Sequence, residues 1–249
     1  MKRTSRWWQA ATTLFFESGL PFRRCHSYYV RFKNPMASKS LNQFESVLRR
    51  ATDLRDLAEY LLSDEAKLDL DTQGRFHGFS DMGRASIVLA VSGMDQYFTR
   101  RFCELLVPFL KSHGPTEGLI DMLGEAGFDT KEALIAIGMR RPYRRIRTLV
   151  ETHLENYTTQ RFEVIDNLFL SIGLKDLSLN AEKKTKRTTV ISSITKLVQR
   201  RHAIAHAGDL SKHGKLCPID FKQLKKRFKD LEDLVNAADQ IIENRLKKK

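Results

Sequence analysis

The sequence predicts an all-α protein: an antiparallel bundle of long helices that carries an insertion of shorter ones. Three observations lead there. Apolar residues recur at intervals of three and four over long stretches, the period of a helix with one buried face. Only 13 Gly and 6 Pro occur in 249 residues, fewer turn-formers than a many-stranded sandwich or barrel needs. No segment shows the strict alternation of a half-buried strand, and no internal repeat is present. With 41% hydrophobic and 29% charged residues, the chain can bury a core and is not disordered throughout.

The first 35 residues stand apart. They hold seven Lys or Arg and one acid, Glu17, a net of +6, and their aromatic residues follow no period. Gln9, Thr12, Thr13 and Glu17 interrupt any secretory apolar stretch, and the Arg-rich composition is only that of a transit peptide in outline. Met36-Ala37-Ser38 reads like a start. Residues 1–35 are therefore expected to be a disordered or non-native extension, and residues 36–249 a single α-helical domain. From Leu41 the stripe Phe44, Val47, Leu48, Ala51, Leu54, Ala58, Leu61, Leu62 predicts a first helix running to about Leu68. Ser80 or Asp81 can cap a second helix of roughly 30 residues, with stripe Ile87, Val91, Met94, Phe98, Phe102, Leu105, Phe109, which Gly114-Pro115 stops. Shorter helices are expected near 117–125, 130–138, 143–156 and 160–172, punctuated by glycines. Residues 179–187 read as a solvated charged connection. A strong helix resumes at Val190, and Gly208 and Gly214 open a loop. Pro218 fits the first turn of a last helix with stripe Phe221, Leu224, Phe228, Leu231, Val235, Ala238, Ile242, Leu246.

Composition also bounds the function. The net charge of +13 and pI near 9.7 suit an encounter with polyanions, chiefly nucleic acid. No apolar run reaches membrane-spanning length. Cys25, Cys103 and Cys217 are too few and too scattered for a disulfide framework, and Cys103 and Cys217 read as reduced thiols, as in a cytoplasmic protein.

One segment breaks its own pattern. The buried stripe steps Val190, Ile194, Leu197 and then reaches Arg201 in core register, where a guanidinium is costly unless it is paired or faces a cavity. His202 and His206 stand at i and i+4 and share a helix face. Arg201 and His206 are about 140° apart around the helix. These residue types suit phosphoryl transfer without a metal. Cleavage of RNA by its own 2′-hydroxyl needs a base, an acid, and a cation on the phosphorane. Histidine titrates near neutrality and serves either proton role. Arginine's fork fits phosphate oxygens.

The run Leu197-Val198-x-Arg200-Arg201-x-x-Ile204-x-His206-x-Gly208-Asp209 resembles the HEPN ribonuclease signature, an Arg followed four to six residues later by His, and is most like that of the RiboL-PSP-HEPN subgroup. The segment from Arg84 through Ser92, Asp95 and Tyr97 is similar to that subgroup's long early helix. The resemblance implies an all-α bundle, a symmetric homodimer with two facing signature loops, and metal-independent endoribonuclease activity without a cofactor, of the bacterial defence or toxin kind. It carries Arg201 and His206 over as catalytic, and His202 and Asp95 as supporting polar residues. RNA is the implied partner, with room for an unidentified antitoxin or regulatory protein. Gly208 stands where toxins governed by a nucleotidyltransferase antitoxin carry Tyr, so that form of control is not supported.

Other readings compete. A non-catalytic all-α RNA-binding or scaffold module would bind polyanions without turnover. Arg201 could instead be a buried ion-pair partner of Asp95. The spacing His202-x3-His206-x6-His213-x3-Cys217 is ligand-like for zinc, yet it lacks a Cys-x2-Cys partner, and Ala203 stands where a zincin helix carries Glu. Arg140, Arg141, Arg144, Arg145 and Arg147, with Tyr143 among them, form a candidate RNA-binding face or a merely solvated one.

Overall fold

A computed structural model describes residues 38–63, 76–155 and 157–247, all within one compact unit. The expected extension at 1–35 lies outside the described residues, as does the stretch from 64 to 68 assigned to the first helix. The described residues form nine helices: α1 (Lys39–Leu61), α2 (Phe76–His113), α3 (Glu117–Glu125), α4 (Thr130–Ile137), α5 (Pro142–Glu155), α6 (Phe162–Leu170), α7 (Leu177–Lys184), α8 (Val190–Ala207) and α9 (Phe221–Lys247). None is long and apolar enough to cross a membrane.

Ser38 starts α1, its hydroxyl accepting from Leu41 N at 3.0 Å and so satisfying a first-turn donor that the helix leaves free. The α1 stripe Leu41, Phe44, Leu48, Ala51 and Ala58 is buried. It lies along α2, a helix of 38 residues and about 57 Å. Phe44 meets Tyr97, with ring centroids 5.9 Å apart, and Gln43 accepts from Arg100. A Cβ on Gly93 would sit 3.0 Å from Val47. Residue numbers fall on α2 as they rise on α1, so the two run antiparallel. The same logic sets α1 against α9, through Ser38 with Asp239 and Arg55 over the Phe228 ring. It makes α2 and α9 parallel, through Gly83 with Phe221, Tyr97 with Asp239, and Arg101 with Glu243.

A buried polar knot pins these three helices. Asp239, on α9, accepts from Ser38 Oγ at 2.9 Å and from Tyr97 Oη at 2.9 Å, and pairs with Arg101 at 2.9 Å. Burial, and then the Asp239 carboxylate, push the Tyr97 phenol well above its ordinary range, so it remains a donor.

The insertion, α3–α7, packs beside this core. Phe169 of α6 stands edge-on to Phe98 and Phe102 of α2. Three local expectations are corrected. Residues 177–184 are helical rather than a charged connection: Leu177 and Ala181, one turn apart, are buried, while Asp166 accepts from Ser178 N at 2.7 Å. Burial of that short face outweighs the charge of Glu182, Lys183 and Lys184, which point outward or make local bonds. Pro218 lies before α9 and not in its first turn; Asp220 accepts from Gln223 N at 2.9 Å instead. Likewise Ser80 and Asp81 lie inside α2, which begins a turn earlier.

Candidate active site

The site grows from the end of α8. Val190, Ile194 and Leu197 are buried and anchor the helix. Gly208 ends it in the left-handed conformation, φ 59°, which a glycine adopts without a Cβ clash. Asp209 follows at φ 62°, a conformation aspartate tolerates better than most residues, and its N–H donates to Ala203 O at 3.1 Å. The chain then folds back. Leu210 and Leu216 pair antiparallel, Ser211 N donates to Lys215 O at 2.7 Å, and Cys217 N donates to Asp209 O at 3.0 Å.

This closed loop is bolted to α2. Asp209 is 1% exposed, and its Oδ2 accepts from Arg84 Nε at 2.8 Å and from Arg200 Nη2 at 2.7 Å. Arg84 reaches further, to Ser80 Oγ at 2.5 Å, Asp81 Oδ1 at 3.1 Å and Cys217 O at 2.8 Å. Arg200 also donates to Cys217 O and Pro218 O. One carboxylate between two guanidiniums thus fixes α2, the end of α8 and the loop behind it. Gly83 lets Ile219 and Phe221 close on the same end, since a Cβ there would stand 2.9 Å from Ile219 Cδ1.

On the outer side of this bolt stand the candidate catalytic residues. His202 and His206 are both exposed, with ring centroids 4.4 Å apart and planes tilted by 55°. Arg201 is half-buried, and its Nε is buried without a hydrogen-bond partner. Among the described residues Arg201 makes no ion pair. Of the two adjacent arginines, Arg200 takes the structural pairing and leaves Arg201 uncommitted. The pairing of Arg201 with Asp95 does not occur. Asp95 lies about 16 Å along α2 from Arg84, and its carboxylate accepts from Thr159 N at 2.7 Å, Thr159 Oγ1 at 2.6 Å and Gln160 Nε2 at 3.0 Å. It anchors the turn before α6 rather than joining Arg201 and His206 within the chain. The zinc-like spacing does not gather its side chains either. Among the described residues no three His, Cys, Asp or Glu converge as a metal site, and Cys217 contributes its backbone to the loop.

The RiboL-PSP-HEPN family model matches residues 48–244, most of the chain, and so includes α2, α8 and the loop after it. The chain belongs to the RiboL-PSP-HEPN family. No curated protein and no solved structure matches it. Membership ties the chain to RNA-related, ribonuclease-type domains.

In this HEPN chain the arginine cluster divides. Arg140, Arg141, Arg144 and Arg145 surround a hollow of 420 Å³ with Met139 and Thr148. Arg145 donates to Glu132 at 2.9 Å, and that bond holds the Glu132 carboxyl below its ordinary value. Arg147 turns away to Glu151 and lines a different cleft of 590 Å³, together with Asp95, Glu104 and Lys39. That larger cleft contains no residue of α8 and carries acids as well as bases, so its size does not make it the site. Arg84 opens the early-helix segment and Arg200 and Asp209 belong to the signature run, but none of the three has a role assigned from the sequence. The signal available was a buried-register Arg on α2 and an Asp directly behind the terminal glycine; their pairing across 125 residues is visible only in the fold.

Proposed function

We propose that the chain is a metal-independent endoribonuclease that cleaves RNA by attack of the substrate's own 2′-hydroxyl. The observation that carries this reading is the end of α8. There an unpaired guanidinium, Arg201, shares a rigidly bolted helix terminus with two exposed, touching imidazoles, His202 and His206. In the reaction a histidine takes the 2′-hydroxyl proton, the 2′-oxygen bonds to phosphorus, and the bond to the 5′-oxygen breaks as that oxygen receives a proton. Arg201 neutralises the charge on the phosphorane oxygens. The products are a 2′,3′-cyclic phosphate and a 5′-hydroxyl.

Base and acid must act on opposite sides of the phosphorus. His202 lies against His206, on its own side, so it does not supply the second position. A two-fold axis does, because an isologous interface repeats each residue. The reading therefore includes a homodimer with the site across its interface, and a role as a defence or toxin effector. The arginines at 140, 141, 144 and 145 would hold the RNA backbone beyond the site.

The test is cleavage of single-stranded RNA in excess EDTA, with the ends identified by mass spectrometry. Wild type should yield cyclic phosphates, and His206→Ala and Arg201→Ala should each lose about 10²-fold or more. Differently tagged wild-type/His206→Ala heterodimers should lose as much. Activity that EDTA abolishes and a metal restores would overturn the mechanism; heterodimers at half the wild-type rate would overturn the shared site. RNA binding with no turnover by the wild-type protein would instead make the chain a non-catalytic RNA-binding module.

A further inference from the structure

We infer that a second basic groove, between α8 and α9, binds the phosphodiester backbone of the substrate strand away from the scissile bond; this rests on the ribonuclease reading above. The groove has a volume of 420 Å³ and is lined by Thr189, Ser192, Ser193, Lys196, Gln223, Lys226 and Arg227. Three cations and three hydroxyls face it, and no carboxylate does.

Two cations near these residues in the sequence are neutralised: Lys229 of α9 pairs with Glu232 and Asp233, both at 3.0 Å, and Arg187, just before α8, pairs with Asp230 at 2.6 Å and Asp233 at 2.5 Å. Lys196 and Lys226 have no such partner among the described residues, and Arg227 donates only to the neutral Gln223, at 2.9 Å. Thr189 precedes α8 without its side chain capping the helix, and the hydroxyls of Ser192 and Ser193 have no hydrogen-bond partner among the described residues. Like charges gathered without a counterion, beside unused donors, form a surface that an anion stabilises.

Its register on α8 identifies the anion as a strand rather than a small solute. Ser192, Lys196, Gln199, Ala203 and His206 recur at intervals of four, three, four and three residues, and all are exposed. They form one face of one helix. Lys196 is therefore on the same face as His206, about 15 Å along the axis. A single-stranded RNA that presents one phosphate at His206 can lay later phosphates into the groove. A dinucleoside monophosphate, with one phosphate, cannot reach both.

The experiment compares the wild-type chain, a groove variant (Lys196→Gln, Lys226→Gln, Arg227→Gln) and a charge control off the groove (Arg50→Gln, Lys131→Gln, Lys175→Gln). Thermal melts confirm that each is folded. Fluorescence anisotropy on a labelled 12-nucleotide RNA, in a His206→Ala background, gives affinity against salt. Each lost phosphate contact on a single strand removes about 0.7 from the log–log salt slope, so three remove about 2. Between 50 and 200 mM salt, wild type should lose about 15-fold more affinity than the groove variant, and the control should keep most of the wild-type slope. With His206 intact, turnover of a dinucleoside monophosphate should be unchanged in the groove variant, while kcat/KM on the 12-nucleotide RNA falls. The proposal is overturned if the groove variant keeps the wild-type salt slope, if the control loses as much, or if dinucleotide turnover falls in parallel. A wild-type chain that neither binds nor cleaves RNA would bring down the underlying reading, and this appears in the wild-type arm alone.

Discussion

Replacing Asp209 by Ala tests the bolt behind the signature helix. In the native chain its carboxylate is 1% exposed and accepts from Arg84 at 2.8 Å and Arg200 at 2.7 Å. Removing one partner of a buried ion pair costs about 3–5 kcal/mol, because a buried charge is left uncompensated. Arg84 retains Ser80, Asp81 and Cys217 O, which favours the low end, about 3 kcal/mol. The left-handed backbone at φ 62° adds about 1 kcal/mol once alanine occupies it. The expected loss is about 4 kcal/mol, which in a domain of this size lowers Tm by roughly 10 °C. Asp209→Asn keeps the backbone preference and one acceptor oxygen but not the charge, so it should fall between the two. The assay is thermal unfolding followed by circular dichroism at 222 nm. Cleavage by Asp209→Ala should also fall at temperatures where the variant is still folded, because the lost carboxylate no longer ties Arg84 and Arg200 together behind the helix end that carries His206. A Tm within about 2 °C of wild type would falsify the assignment of this network as the bolt of the site.

Three further outcomes are expected. The Glu45 carboxyl sits above its ordinary value because of partial burial and then the nearby Glu232; its folded-state affinity for a proton exceeds the unfolded one, so its favourable contribution exists at low pH and fades as pH rises through the raised value. Glu45→Gln should therefore raise Tm at neutral pH, and the gain should vanish near about pH 4; a gain that grows on acidification would refute the sign. Burial, with Glu151 next, pushes the Cys103 thiol up to about 12, so iodoacetamide at about pH 8 should label half-exposed Cys217 and spare Cys103 in the native protein, as read by peptide mass spectrometry. Deleting residues 1–35 should leave Tm and cleavage intact while RNA affinity falls modestly with the loss of +6 charge; a truncated protein that fails to melt cooperatively would refute the reading of that stretch as dispensable.

The sequence by itself determined the helical class, because a stripe such as Phe44, Leu48, Ala51 or Leu224, Phe228, Leu231 has only one period that buries it. It also pointed to where the signature lies, because Arg201 falls in core register, where a guanidinium needs a partner or a cavity. Tertiary structure alone decided which charges are structural. Arg200 and Arg201 are adjacent and chemically identical, and nothing local says that the first is spent on Asp209 while the second stays free. Asp95 fits the family's early helix in sequence, yet its partners are Thr159 and Gln160, which arrive from more than sixty residues away. Helix α7 was hidden for a related reason: two apolar residues carry no period, and only the pocket that receives Leu177 and Ala181 makes their burial favourable. Periodicity reports which face of an element is buried; the partner of a buried charge is set by chain segments distant in sequence, and only the folded chain brings them together.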